Sequence, residues 1–586
     1  MSVFLSNLDD FITPGQACVN PLVNAKIASS SSSSGARITL ETDVSTTELE
    51  RTVTSQRPNL IGARAAAGGG DHAKVASVTL NDCLACSGCV TSAETVLIQL
   101  QSFERLVEKL EEAKLNSELI IVVALSPQSR ASIADKLGGV SSAEVFLRIA
   151  TFLKKLGVAY VLDSSSAGDV SLIEAREEFL HRHKQGRSKA WTAPRTTSAV
   201  SSTRVNVYDK PDGASKAYME TSSQAFAREL EVGTPVPTAA QSLPMIISAC
   251  PGFVCYAEKT QPQCLSYVSS AKSAQQILGA VFKRYFSKGV PSSVYMVSIQ
   301  PCFDKKLEAS RLDFVDQQSA CTDVDLVLST QELWGLMLEH AQASSTGAGS
   351  TVLEMLQALE PDVTSGADSV EELFRCFSAD GSSLVLAAHS EGGSGGYMDY
   401  IARSAAETLL GRNMWGHGDS RPALPLCVGR NVDIAEAEIT GTGEGSSMQV
   451  DEESSAVSPS TGSTLRFAKI YGFRNIQSLM LKMKRGKCDY DVVEVMACPS
   501  GCVNGGGQLR SGNAETATES KERIAAVEQE FHRGHVRKPE DNPLVQFLYS
   551  ADRLGSAYSP AALALLHTRY HAVPKLEEIA PLAAKW

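Results

Sequence analysis

The chain has 586 residues, of which 43% are hydrophobic, and 54 basic residues stand against 66 acidic ones for a net charge of −12. This length and apolar content are enough for several buried cores, so a globular multidomain protein is expected. An acidic chain lacks the excess of lysine and arginine that nucleic-acid binding requires, which argues against nucleic acid as a partner.

The sequence does not indicate a secreted or membrane protein. The opening MSVFLSNLDDFITPG lacks the basic start and long apolar stretch of a secretory signal. The longest apolar run, LIIVVAL at 119–125, is far shorter than a bilayer span. We therefore expect a cytoplasmic protein with no membrane partner, and leave the nucleus open as a second location. Its 14 cysteines should be reduced and available for metal binding or catalysis.

The first predicted region, residues 1–112, contains a cysteine motif. Cys83, Cys86 and Cys89, in DCLACSGCVTSAE, follow the C-x2-C-x2-C spacing of ferredoxin loops, but the fourth cysteine of that run is missing. A remote ligand is needed, and Cys18 in PGQACVNPL is the economical candidate because no other cysteine precedes the later motifs. The spacing leaves open a cluster held by three thiolates and another ligand.

After this region, apolar runs typical of buried strands alternate with amphipathic helices. The sequence FERLVEKLEEAKL predicts a helix at 103–115. Strands are predicted from ELIIVVALS, VAYVLD, LPMIISA, SVYMVSIQ, VDLVLS, SLVLAAH and YDVVEVMA, which are rich in β-branched residues. The alternation indicates an α/β fold.

The predicted α/β part divides into two lobes and a C-terminal segment. The first lobe spans 113–340, the second spans 371–555, and the C-terminal segment and tail span 556–586. Stretches of small polar residues cannot build a core, so we predict low-complexity insertions, with ASSSSSSG at 28–35 in the N-terminal region and a longer one at 441–464 in the second lobe.

Three of the predicted strands are followed by cysteines. Cys250 follows LPMIISA, Cys302 follows SVYMVSIQ, and Cys498 follows YDVVEVMA, with Cys502 four residues later. Functional groups gather at the carboxyl ends of strands in open α/β sheets, so these thiols are expected to converge. Four thiolates beside the triple glycine at 505–507 suit a [4Fe–4S] cluster.

Two other interpretations apply to cysteines of this kind. Free cysteine is among the most buried residue types, so each thiol alone could be an ordinary core residue. Four thiolates could also hold zinc, although zinc sites favour short cysteine pairs over ligands dispersed across about 250 residues. The neighbouring prolines and the triple glycine favour iron–sulfur binding. The remaining cysteines, predicted as core or surface thiols, are Cys255, Cys264, Cys321, Cys376, Cys427 and Cys488.

These motifs resemble those of a known family. SACPGFVCY, QPCFDKKLEASR and MACPSGCVNGGGQ are similar to the three signature segments of [FeFe]-hydrogenases. The whole chain resembles the hydrogenase-like cytosolic iron–sulfur assembly proteins, also called nuclear prelamin A recognition factor-like proteins. The resemblance implies a two-lobed hydrogenase-like core, with a small ferredoxin-like cluster region before it and a tail after it. It also implies two [4Fe–4S] clusters, one on Cys18, Cys83, Cys86 and Cys89, and one on Cys250, Cys302, Cys498 and Cys502.

Two further segments are similar to parts of hydrogenases. The glycine-rich HSEGGSGGYMDYIAR, at 389–403, resembles a hydrogenase segment that lines the core site. LLHTRYHAVPK, at 565–575, resembles the tail of hydrogenase small-subunit regions. The resemblance therefore covers most of the chain outside the low-complexity insertions.

Departures from the hydrogenase pattern imply a different function. Hydrogenases carry a proton-relaying cysteine where Ala249 precedes Cys250 here, and usually a methionine where this chain has Gln300, although Lys305 and Glu308 are kept. The resemblance thus favours a non-enzymatic component of cytosolic iron–sulfur assembly. Such a protein would link a scaffold for cluster synthesis to the targeting complex that matures cytosolic and nuclear apoproteins. The alternatives are a residual hydrogenase or other redox enzyme, and a scaffold whose clusters are purely structural.

The last residue of the sequence, Trp586 in EEIAPLAAKW, is predicted to anchor a partner. A large aromatic beside a carboxylate can occupy a pocket and a backbone nest on another protein. The alternative is a frayed end that folds back on nearby apolar surface. The tail resembles the tryptophan signals by which iron–sulfur clients and adaptors dock on the cytosolic targeting complex, although Lys585 stands where an acidic or small polar residue is more usual.

Overall fold

The computed structural model describes the fold of the two predicted lobes and most of the C-terminal segment. The predicted ligands Cys18, Cys83, Cys86 and Cys89 and the predicted anchor Trp586 lie outside the described residues. The predicted insertion at 28–35, most of the predicted insertion at 441–464 and the predicted strand SLVLAAH also lie outside them. The described residues are 98, 100–185, 243–316, 319–343, 351–362, 370–375, 393–415, 423–441, 464–510, 515–533 and 538–573.

Eleven strands lie in the described residues, most of them short. Their bounds are β1 (Ile120–Leu125), β2 (Tyr160–Asp163), β3 (Met245–Ile247), β4 (Val294–Gln300), β5 (Val315–Asp316), β6 (Cys321–Thr322), β7 (Leu326–Ser329), β8 (Leu426–Val428), β9 (Ile434–Thr440), β10 (Thr464–Tyr471) and β11 (Val492–Met496).

Fifteen α-helices lie in the same residues, and none of them is long and apolar enough to cross a membrane. Their bounds are α1 (Phe103–Leu115), α2 (Pro127–Leu137), α3 (Ser142–Leu156), α4 (Ser165–Gln185), α5 (Pro251–Thr260), α6 (Ala274–Phe286), α7 (Asp304–Ala309), α8 (Thr330–Ala343), α9 (Val352–Gln357), α10 (Val370–Phe374), α11 (Tyr397–Leu410), α12 (Phe473–Lys484), α13 (Ala517–Phe531), α14 (Pro543–Leu548) and α15 (Pro560–Leu566).

The first sheet has four strands in the order β2–β1–β4–β7, and all are parallel. Its central strand β1 reads IIVVAL and is almost wholly buried, as expected for a parallel strand covered on both faces. The predicted helix at 103–115 is α1. The prediction of buried strands that alternate with helices is therefore confirmed for this sheet, and the structure adds that the strands are parallel.

The second sheet has five strands in the order β3–β11–β10–β9–β8. The first three are parallel, while β9 is antiparallel to both β10 and β8. Strand β3 falls within the predicted first lobe, 113–340, yet it pairs with β11 of this second sheet. Strands β8 to β10 were not among the predicted strands. The chain therefore crosses between the sheets before the first core cysteine.

One hydrophobic core joins the two sheets. It includes Val122 of β1 and Ile246 of β3, together with Phe179 of α4 and Phe282 of α6, which are all buried. Helix α4 also contacts α6 and α11. A second core, which contains Ile121, packs on the other face of the first sheet. The shared core fixes the carboxyl ends of strands from both sheets relative to one another.

Candidate metal centre

The cysteines predicted to form the core site follow strands of both sheets. Cys250 caps the N-terminus of α5, after β3, and Cys302 lies between β4 and α7. Cys498 follows β11, and Cys502 begins a short 3-10 turn that ends at Asn504. Two strands of the second sheet and one of the first therefore supply the four thiols.

The four thiols line one cavity of about 90 Å³. Cys250 is buried, and the other three are partly buried. The structure thus brings together residues that are separated by more than 250 positions in the sequence. The set contains four thiolate donors, which is the ligand set of a [4Fe–4S] cluster. Their role as ligands remains a prediction.

The four cysteines share a cavity whose lining can be compared with the known geometry of metal sites. Within the described residues, no group of three or more His, Cys, Asp or Glu side chains is arranged to hold a single metal ion. A tetrahedral zinc site would need sulfur atoms about 2.3 Å from a common centre. Four thiolates suit either a zinc ion or a [4Fe–4S] cluster, so the preference for the cluster rests on the sequence motifs.

The cavity strongly disfavours free thiolates. Burial, with added repulsion from Asp304 and Cys502, raises the pKa of Cys250 to about 12. Burial also raises the pKa of Cys302 and Cys498 well above the ordinary value, and the neighbouring core thiols add to both shifts. A bound metal centre would lower the pKa values of these thiols, because its positive charge favours the deprotonated, coordinating form.

A buried ion pair lies at one wall of the cavity. Lys305, which lines the cavity, places its Nζ 2.8 Å from Glu308 Oε2, and the Gln275 amide donates to the same oxygen at 3.1 Å. Burial raises the pKa of Cys302 by more than the nearby Lys305 lowers it. The Oε1 atom of Gln275 is buried and has no hydrogen-bond partner. The cavity therefore contains one cation close to the thiols and one free acceptor.

Glycines after Cys502 allow the backbone to pass close to the Cys302 segment. The N–H of Gly507 donates to the Pro301 carbonyl at 2.8 Å. A Cβ on Gly505 would lie 2.3 Å from that same oxygen, so no larger residue fits there. This contact ties the loop carrying Cys502 to the loop carrying Cys302.

The opposite wall comes from the first sheet, at the ends of β1 and β2. Ser126 and Gln128 follow β1, and Ser164 follows β2; all three line the cavity. A buried ion pair fixes these segments, because Arg130 Nη1 lies 2.6 Å from Asp163 Oδ2. Replacing one partner of such a pair would leave a buried charge uncompensated.

Residues singled out in the sequence also lie at the cavity. Ala249, Gln300 and Tyr397 all line it, so the glycine-rich segment that ends in α11 reaches the site. Among the described cysteines outside the four, Cys264 is buried, Cys427 is exposed, and Cys255, Cys321 and Cys488 are partly buried; none lines the cavity. Cys376 lies outside the described residues.

Sequence reasoning missed Ser394, which is fully buried beside Cys502. The backbone N–H of Cys502 donates to Ser394 Oγ at 3.0 Å. The available signal was its position between glycines in a segment already predicted to line the core site.

Comparisons with known proteins agree with this fold. The sequence matches the family described as iron only hydrogenase large subunit, C-terminal domain, over residues 119–203 and 203–506. Residues 517–573 match the iron hydrogenase small subunit. The fold is similar to that of an apo [FeFe]-hydrogenase HydA1 from Chlamydomonas reinhardtii, with a TM-score of 0.55 and 26% identity over 80% of this chain and 98% of that one. The fold is therefore a mixed α/β, [FeFe]-hydrogenase-like one, as predicted.

Relatives of nearly the same length define the family further. The chain is 36% identical to "Cytosolic iron-sulfur assembly component 3" of Rattus norvegicus, over 99% of this chain and 98% of the relative. It is 34% identical to "Cytosolic Fe-S cluster assembly factor narfl" of Xenopus tropicalis, with the same coverage. The chain belongs to the family of hydrogenase-like cytosolic iron–sulfur assembly factors.

Proposed function

We propose that this protein is a non-hydrogenase component of cytosolic iron–sulfur assembly that carries two [4Fe–4S] clusters. It links a cluster-synthesis scaffold to the targeting complex that matures cytosolic and nuclear apoproteins. It works in the cytoplasm, and the nucleus is a second location to be tested. The relatives named as assembly components support this role.

The observation that carries the proposal is the shared cavity of Cys250, Cys302, Cys498 and Cys502. These residues would hold the core cluster, and the cluster would supply one-electron redox chemistry and iron–thiolate bonds. The chain's own residues hold the loops together through Gly505 and Gly507 and place Lys305 near the thiols. Cys18, Cys83, Cys86 and Cys89 would hold the second cluster.

We expect the two proposed clusters to be separable by mutation. Cys86→Ala should remove only the N-terminal cluster, and Cys302→Ala only the core one, because each variant deletes a ligand from one set. Iron and acid-labile sulfide per chain, measured after anaerobic purification, should fall by about half in each variant if each site holds four irons. The visible spectrum of the remaining cluster should persist.

Cys427→Ala is the matched control, since Cys427 is exposed and does not line the cavity. It should keep the wild-type iron and sulfide content. Unchanged iron in both Cys86→Ala and Cys302→Ala would contradict the two-cluster proposal.

We also propose that Trp586 anchors the protein on the targeting complex. Loss of an aromatic anchor commonly costs about 2 kcal/mol or more, which is roughly thirtyfold in affinity. Deletion of Trp586 should therefore weaken co-purification with the targeting complex by about that factor, measured with purified components. Iron content and melting should stay at wild-type values.

Trp586→Phe offers a graded control because it keeps an aromatic side chain. Equal partner binding by the truncated and full-length chains would refute the anchor. Loss of iron on truncation would show instead that the tail contributes to cluster retention or folding.

A further inference from the structure

We infer that helix α13 clamps the loop that carries Cys498 and Cys502, and that this clamp sets how fast the core cluster loses iron. The inference rests on the proposed core cluster. Helix α13 begins the segment that matches the iron hydrogenase small subunit, and no sequence motif pointed to it. The helix does not line the cavity, so its effect on the cluster is a positioning one, exerted through the loop.

The backbone of this loop needs support from its surroundings. Ser500 has a φ of +60° and Gly501 a φ of +83°, so two consecutive residues are in the left-handed region. Glycine adopts this conformation readily, whereas the Cβ of a serine makes it unfavourable. Such a backbone persists only where neighbouring segments hold it in place.

Hydrogen bonds hold the loop on one side. The Ser500 N–H donates to Oδ1 of Asp433, the residue before β9, at 2.6 Å. The Val503 N–H donates to the Gly393 carbonyl at 3.0 Å. These contacts act on the backbone, and the side chain of Val503 is held by a different element.

Helix α13 holds that side chain. Val503 directly follows Cys502 and is fully buried. It packs in a small hydrophobic cluster with Ala131 of α2 and with Val527 and Phe531 of α13, separate from the two large cores. Val527 and Phe531 are the apolar residues that α13 buries. The contact that attaches the apolar face of α13 is therefore also the contact that anchors the loop.

A polar connection supports this packing. Arg523 Nη2 donates to Asn504 Oδ1 at 3.4 Å, and Asn504 Nδ2 donates to the carbonyl of Pro499 at 3.3 Å. Pro499 directly follows Cys498, so the connection from α13 reaches both ends of the loop. Both hydrogen bonds are long, and we expect them to contribute less than the packing of Val503.

The clamp affects the cluster because iron can leave only after a cysteine has released it. When an iron–thiolate bond breaks, a loop held in place returns the sulfur to the iron, whereas a loop released at Val503 lets Cys502 move away. An iron(II) chelator then binds the iron, and the thiolate takes a proton from water. Weakening the contact with α13 should therefore raise the rate of iron loss.

Val527→Ala should speed iron release to bathophenanthroline about tenfold, which corresponds to about 1.4 kcal/mol, because it leaves a cavity beside Val503. Arg523→Ala should give a smaller increase. Rates are measured anaerobically, with dithionite as the reductant, on the full chain in the Cys86→Ala background, which leaves one cluster to observe. Starting iron content and melting temperature are determined for every variant.

Val352→Ala and Arg148→Ala are the matched controls. Val352 is a buried valine of α9 in the second core, and Arg148 of α3 donates to the carbonyls of Leu356 and Leu359. Neither residue lines the cavity. Both variants should melt at lower temperature but release iron at the rate of the Cys86→Ala chain. If α13 had only a general structural role, Val527→Ala would behave like Val352→Ala.

Faster release from Val527→Ala than from Val352→Ala supports the clamp, and so does a folded Val527→Ala chain that is purified without iron while Val352→Ala keeps it. Equal release rates in the two valine variants overturn it. If Val527→Ala fails to fold, Arg523→Ala is compared with Arg148→Ala: faster release supports the clamp, and equal release overturns it. Absence of iron from the Cys86→Ala chain itself would instead overturn the proposed core cluster.

Discussion

Replacement of Cys498 or Cys502 by alanine should lower the melting temperature and expose the protein to proteolysis, as well as remove iron. Metal–thiolate binding contributes on the order of 10 kcal/mol in small zinc domains. That is comparable with the whole stability of a typical domain, roughly 5–15 kcal/mol. Loss of the core cluster should therefore destabilise much of the hydrogenase-like fold and not only its site.

The structure explains why loss of the core cluster should destabilise both sheets. Cys498 follows β11, an interior strand of the second sheet, and Cys302 follows β4 of the first. A cluster held by both would crosslink the two sheets at their carboxyl ends. Without the cluster, the loops that carry Cys302 and Cys502 would be joined only by weaker contacts, such as the hydrogen bond that the Gly507 N–H donates to the Pro301 carbonyl.

Cys427→Ala is again the appropriate control, because this thiol is exposed on the edge strand β8. Thermal unfolding and protease half-life, compared between anaerobically purified variants, give the measurement. If Cys498→Ala and Cys502→Ala both accumulate at the wild-type level and melt with the wild type, the core cluster does not stabilise the fold.

The sequence predicted well where one physical signal dominated. Strand β1 is apolar throughout because both of its faces are buried, and such a run is visible without a structure. Strand β11 is equally buried and is apolar except for Glu494. The cysteines after β3, β4 and β11 could be grouped because parallel strands present their carboxyl ends on one side.

The missed strands had weaker signals. In β9, the sequence IAEAEIT alternates buried alanine and isoleucine with exposed glutamate and threonine. This alternation is hard to recognise in the sequence because alanine is only weakly hydrophobic. Strand β10, TLRFAKIY, places the exposed Arg466 and the partly buried Lys469 among its apolar residues, so its apolar run is broken. The pairing of β3 with β11 could not be predicted, since it depends on packing between distant segments.

The candidate site was likewise only partly predictable from the sequence. Chemistry-bearing cysteines stand out in a sequence, but Ser394 does not, because a serine becomes informative only when its oxygen is found against Cys502. Likewise, Lys305 and Glu308 were recognised in the sequence as residues that this chain has in common with the hydrogenase pattern. The buried Gln275, which donates to the same Glu308 oxygen as Lys305, could be identified only from the structure.

The purified protein should neither evolve nor take up hydrogen. Ala249 lines the cavity beside Cys250, at the position where the resembling hydrogenases carry a cysteine that moves protons. A methyl group can neither bind nor release a proton. Proton transfer by a positioned side chain contributes roughly a hundredfold to ten-thousandfold in rate, so this one difference would suppress turnover by that factor.

The neighbouring groups do not replace the missing thiol. Lys305 lines the cavity, but its ammonium is held 2.8 Å from Glu308 in a buried ion pair, and Gln300 donates its amide to Ser298 at 2.8 Å. The ammonium group is engaged by the carboxylate, and an amide does not act as an acid or base. Neither Lys305 nor Gln300 is therefore placed to take over the role of the missing thiol.

Hydrogen evolution with reduced viologen, compared with the cluster-deficient Cys302→Ala variant, tests this prediction. We expect equal background rates. Ala249→Cys restores a thiol at this wall, and it should remain inactive because a proton donor alone cannot turn over hydrogen without a catalytic di-iron group. Activity of the wild type above the Cys302→Ala background would support the residual-hydrogenase alternative. Activity of Ala249→Cys alone would show that the catalytic group is present and that only the proton donor was lost.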